Sequence, residues 1–111
     1  MANTFKTKTF GGGSTSSGTP MTVYTVPGST TSVVLGLTLS NITTSNIEVT
    51  VSLENNDGDN VSIVTNAEVP AKASLEITSG NKYVMETADV LKVTSNTSNS
   101  LDTTLSIMEI T

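Results

Sequence analysis

Apolar and polar residues alternate with a period of two along most of this chain. A chain so patterned can bury one face of each segment only as β-sheet. Ile47, Val49, Val51 and Leu53 alternate with Glu48, Thr50, Ser52 and Glu54. Upstream, Val33, Leu35, Leu37 and Leu39 alternate with Val34, Gly36, Thr38 and Ser40, which predicts a strand with the first set inward. Residues 41–46 between them are turn chemistry, so the two segments read as a hairpin. The Asp57-Gly58 step within 55–60 predicts a tight reversal into a short strand over 61–65.

The second half continues in this manner. Val69-Pro70-Ala71 leads into a strand around 74–78, with Leu75 and Ile77 inward. Ser79-Gly80-Asn81 turns the chain into a strand over 83–85. Leu91 and Val93 alternate with Val90, Lys92 and Thr94, and a polar turn over 95–100 precedes a last strand over 102–111, with Leu105 and Ile107 inward. One more strand over 22–26 stops at Pro27-Gly28. Seven or eight short strands and no helix predict an all-β antiparallel β-sandwich of jelly-roll or immunoglobulin-like architecture. Thr and Ser make up about a third of the 111 residues, which agrees with strand over helix.

Ahead of this body stand the chain's only two phenylalanines, Phe5 and Phe10, followed by a Gly/Ser/Thr run over 11–18. Such a run is flexible-linker composition. The expectation is an extended N-terminal arm and linker over 1–20 and a sandwich domain over 21–111. A domain normally spends its largest apolar side chains on its own core, where burying one is worth about 1.5–3 kcal/mol. Phe5 and Phe10, with Lys6 and Lys8 beside them, are therefore the candidate partner-binding residues. The first 20 residues carry +2 and the whole chain −5, leaving −7 for residues 21–111. A basic arm on an acidic body suits an acidic protein neighbour, including a second copy of the chain.

Composition also excludes function classes. There is no Cys for disulfide, thiolate metal site or thiol nucleophile, and no His for acid–base work near neutral pH. The five basic residues are all Lys and scattered, so neither nucleic acid nor a membrane surface is an expected partner. Neither a secretory signal nor a membrane-length apolar run is apparent. Aligning Gly58 with the sixth position of a calcium-binding EF-hand loop puts Leu53 first and Val64 twelfth, so that match fails; a looser site on Asp57 and Asp59 is a weaker candidate than a solvated hairpin tip. Lys72 and Ser74 are the nearest local pair for a nucleophile and its base. Tyr24 and Tyr83, the body's only aromatics, are the candidates for a sugar platform. The carboxylates Glu48, Glu54, Glu76, Glu86 and Glu109 read as the polar phases of strands, and no catalytic, cofactor or metal residues are expected.

The order of segments carries a likeness. Thr22-Val23-Tyr24-Thr25-Val26-Pro27 opens the body, Val69-Pro70-Ala71 precedes Ser74-Leu75-Glu76, and Ala88-Asp89-Val90-Leu91-Lys92-Val93 comes late. This order resembles small β-sandwich virion structural proteins of tailed bacteriophages, of the marine cyanophage type. In that group a "YTVP" opening, a "(I/V)P…SLE" middle and a "GD-hydrophobic-K-V" late strand recur. Ala88 stands where that pattern has Gly. The resemblance spans residues 22–111 and implies a non-enzymatic subunit that multimerises within a virion assembled in the host cytoplasm. It is expected to act as a head decoration or cement protein docked through its arm on major capsid or other virion proteins. A neck or tail accessory subunit, or an adhesion module gripping host glycans, are the alternative expectations.

Overall fold

Among the described residues, the alternation becomes nine strands in two antiparallel sheets packed face to face. A computed structural model describes residues 2–12, 15–78 and 82–111. The strands are β1 (Asn3–Phe10), β2 (Met21–Thr25), β3 (Thr31–Asn41), β4 (Ile47–Glu54), β5 (Asn60–Val69), β6 (Ser74–Glu76), β7 (Tyr83–Met85), β8 (Val90–Ser95) and β9 (Leu101–Ile110). One sheet has the order β1-β9-β3-β6, with β7 also pairing β3; the other runs β2-β8-β4-β5. The reversal at 79–81 lies outside the described residues.

The core is aliphatic. Leu37, Leu39, Ile47, Val49, Val51, Leu91, Val93, Leu101, Leu105 and Ile107 project from the two inner faces and are essentially inaccessible to water. Tyr24 is the one buried aromatic. The faces expected for β4, β8 and β9 hold, and β4 and β5 form the hairpin that Asp57-Gly58 predicts. Gly58 takes φ 98 there, a left-handed backbone that glycine adopts without a Cβ clash.

Four expectations are corrected. First, β3 and β4 do not form a hairpin; they lie in different sheets. Residues 41–46 make a corner instead, with the Asn41 amide donating to the carbonyls of Ser45 and Val69 and accepting from the Thr43 N–H. Second, β3 changes face midway. A bulge between Val34 and Gly36 turns Val34 inward and leaves Val33 on the outer face, although Leu37 and Leu39 point inward as expected. Third, Glu109 is not on a polar phase: it shares the inner face with Leu105 and Ile107 and is 5% exposed. Fourth, residues 3–10 are extended but not a free arm. They pair over their whole length with β9, from Asn3 opposite Ile110 to Phe10 opposite Thr103.

Residues 15–18 are likewise engaged. Thr15 is buried, its carbonyl accepting from Asn99 N–H and its hydroxyl from Ser100 N–H. Gly18 N–H donates to Ser95 and Ser17 N–H to the Ser98 hydroxyl. The departure at Ala88 also has a structural consequence. Ala88 sits at φ 73 in the 86–89 turn, whose backbone is held by the buried Asp89 carboxylate accepting from the N–H groups of Glu86 and Asn56.

Candidate interaction surface on the first sheet

Phe10 lies five positions after Phe5, and an odd offset on a strand sends two side chains to opposite faces. Phe10 points inward opposite the buried Thr103 and packs, half-buried, against the core. It is therefore corrected from a partner-binding candidate to a lid on its own subunit. Phe5 points outward and is 71% exposed. Of the two rings, Phe5 is the one that projects into solvent.

Phe5 is not isolated. It stands opposite Met108 on β9; Met108 stands opposite Val33 on β3; Val33 stands opposite Val84 on β7. Directly paired residues of antiparallel strands share a face, so these four side chains form one apolar row across the outside of the sheet. Val84 is 63% exposed and Met108 and Val33 are half-exposed. On one side the row is bordered by Asn3, Ile110 and Thr31, and on the other by Thr7, Ser106 and Gly36. An apolar strip with a largely polar border is the arrangement found at protein contact surfaces.

Lys6 and Lys8 belong to the opposite phase of β1, facing inward with Phe10. The structure thus brings together Lys6, Lys8 and Phe10 on one face and leaves Phe5 alone on the other. Lys6 pairs with the buried Glu109 at 2.8 Å. The Tyr24 hydroxyl donates to the other Glu109 oxygen, leaving Ser32 to donate to the Tyr24 oxygen at 2.6 Å. This chain of contacts joins β1, β9, β2 and β3, and so ties the edge strand to both sheets. The hydrogen bond from Lys6, then that from Tyr24, holds the Glu109 carboxyl below its ordinary pKa despite burial. Burial, reinforced by the bond to Glu109, pushes the Tyr24 phenol up to about 12.

β1 is an edge strand with an open rim. Ala2 and Thr111 exchange both backbone hydrogen bonds. With an unbroken register, the same must hold at residues 4, 6, 8 and 10, because hydrogen-bonded pairs alternate along an antiparallel ladder. The N–H and C=O groups of Asn3, Phe5, Thr7 and Thr9 therefore point away from β9.

The remaining candidates have ordinary structural roles. Tyr24 is buried and cannot offer its ring to a sugar, while Tyr83 is half-buried against the core. The 55–60 loop is folded on itself and onto the 86–89 turn: Asp57 N–H donates to the Asn55 side chain, and the Asn56 amide to the Thr87 carbonyl. Among the described residues, no group of three or more carboxylates is gathered as a metal site. Lys72 donates to the Ile42 carbonyl, whereas Ser74 sits exposed on β6. A cavity of about 10 Å³ between the sheets, lined by Val34, Ile63, Tyr83 and Met85 among others, has room for no more than one water.

Sequence reasoning missed Val33, Met108 and Val84 as members of the surface. The outward phase of Met108 was readable from Leu105 and Ile107; the outward turn of Val33 depends on the bulge. No protein-family model and no curated protein matches this chain.

Proposed function

We propose that this chain is a non-enzymatic structural subunit of a tailed-bacteriophage virion, of the head-decoration or cement type. It multimerises and attaches to neighbouring virion proteins across the outer face of its first sheet. The observation that carries the assembly reading is the row Phe5–Met108–Val33–Val84, apolar and facing solvent on all four strands it crosses. The phage setting rests on the likeness of residues 22–111 to that group of virion proteins. The contact is relocated relative to the expected arm: Phe5 contributes as part of a sheet face, with Lys6 and Phe10 serving to fix β1 in place. The adhesion alternative loses support, since Tyr24 is buried.

Deleting the N-terminal segment is a poor test, because it would strip β9 of its neighbour and Glu109 of its counter-charge. The appropriate test replaces Val84 by Asp, and separately Phe5 by Asp, in virions of a phage encoding this chain. Copies per particle are then counted by quantitative mass spectrometry. Each variant, folded by circular dichroism, is expected to load at least about tenfold less, as contact-centre aromatic and aliphatic side chains do when charged. Full occupancy by both variants would refute the reading.

A further inference from the structure

Four sheet edges flank the sandwich, and three of them are blunted in the ways that natural sheets use to avoid edge-to-edge pairing. The far edge of the first sheet is divided between β6 and β7, three residues each. In the second sheet, β2 has five residues and a register shift between Thr22 and Tyr24. At the other edge, β5 is interrupted by two register shifts and by Asn66 at φ 49. β1 is different: eight residues, a continuous register, no Pro and no Gly. Its lysines do not guard the rim in the usual way, because both lie on the inner phase and Lys6 is neutralised by Glu109.

We infer that β1 pairs antiparallel with β1 of a second copy, about a two-fold axis through Phe5, joining two five-stranded sheets into one. The open groups sit on odd-numbered residues, so odd residues must face odd residues. Charge then selects the register. With Phe5 opposite Phe5 of the second copy, Asn3 faces Thr7, Lys6 faces Thr4 and Lys8 faces Ala2, so no lysine meets a lysine. Sliding by one step puts Lys6 opposite Lys6, and by two steps Lys6 opposite Lys8. Sliding the other way shortens the ladder and separates the rings. The chosen register closes about six backbone hydrogen bonds.

It also joins the two apolar rows end to end, Val84 to Val84, through a central Phe5 pair. This inference deepens the assembly reading and relies on it for the use of that doubled row: the rim of β1 makes the dimer, and the row faces the particle.

The test uses the full chain in analytical ultracentrifugation over a micromolar concentration range. The expected species has twice the 11.5 kDa monomer mass. Thr7→Pro removes an N–H that points away from β9, so β1 stays docked while dimerisation weakens at least about tenfold. Phe5→Cys, in a chain with no other cysteine, should be joined into a dimer by a short bismaleimide, because the two paired positions stand only about 5.5 Å apart. Thr9→Cys should not link.

A wild-type monomer at every concentration would overturn the inference. So would Thr7→Pro dimerising like wild type, or Thr9→Cys linking as readily as Phe5→Cys. Val84→Asp separates the two proposals, since it should remain dimeric while losing particle association. A monomeric wild type whose Val84→Asp variant also fails to load would sink the dimer and leave the assembly reading standing.

Discussion

The two outer faces of the sandwich are built on the same geometry and carry opposite chemistry. Across the second sheet, one row runs Thr22–Lys92–Ser52–Ser62, polar on all four strands, with Lys92 also salt-bridged to Glu54. Across the first sheet, the corresponding row is Phe5–Met108–Val33–Val84. A soluble antiparallel sheet normally alternates apolar-in with polar-out, and the second sheet obeys that rule closely. The apolar row is therefore a property of one face rather than a consequence of a chain short of polar residues. Thr and Ser abound, and they are used a few ångströms away in Thr7 and Ser106.

The contrast can be attacked first through stability. Ile107→Ala should cost about 2–5 kcal/mol in urea unfolding, because it empties part of the inner face. Its neighbour Met108→Ala should cost under about 1 kcal/mol. Equal losses would make the row a second core rather than a surface.

Next in size is the polar bridge beneath β1. Glu109→Gln should destabilise by about 1–3 kcal/mol, by weakening charge-assisted bonds at a buried site. The folded pKa of Glu109 is lowered, so its contribution is present above its unfolded value, near 4.3, and is lost as pH falls through the folded value. The gap between wild type and variant should accordingly close in acid. Tyr24 works with the reverse sign: its folded pKa is raised, so stability should fall as pH climbs from about 10 towards about 12. Unfolding curves across pH that show neither arm would dissociate this cluster from the docking of β1.

Smaller still, Phe5→Ser should shift stability by no more than about 0.5 kcal/mol while altering association. A large loss of stability would mean that its ring shelters the fold. Ala88→Gly provides a control away from both faces. Relief of the left-handed backbone outweighs the extra freedom of the unfolded glycine, for a gain of about 0.5–1 kcal/mol. Particle loading should be unaffected, which would separate robustness from attachment.

Much of this architecture was legible beforehand. Strict alternation in β4 and β9 assigned their inner residues correctly, and Tyr83–Met85 was placed to the residue. What alternation lacks is information on which sheet a strand joins, so β3 and β4 were paired when they face each other across the core. It is also blind to a bulge inside a run such as Val33-Val34-Leu35, where every choice of phase offers an apolar residue. Glu109 could have been recognised from its parity with Leu105 and Ile107; judging it by charge obscured this. Its counter-ion lies 103 positions away at Lys6, beyond any local pattern. Phe5 and Phe10 were grouped by kind, whereas five residues of strand assign them opposite tasks.

The bulge between Val34 and Gly36 has a further implication for how such a surface can change over time. Val34 and Gly36 pair with successive residues of β9, Ile107 and Ser106, so Leu35 is the extra residue, and excising it would straighten the strand while leaving Val33 opposite Met108. Loss of the Leu35 codon would therefore spare the outer row, so chain length at this point and the side-chain chemistry of Phe5, Met108, Val33 and Val84 are free to change independently.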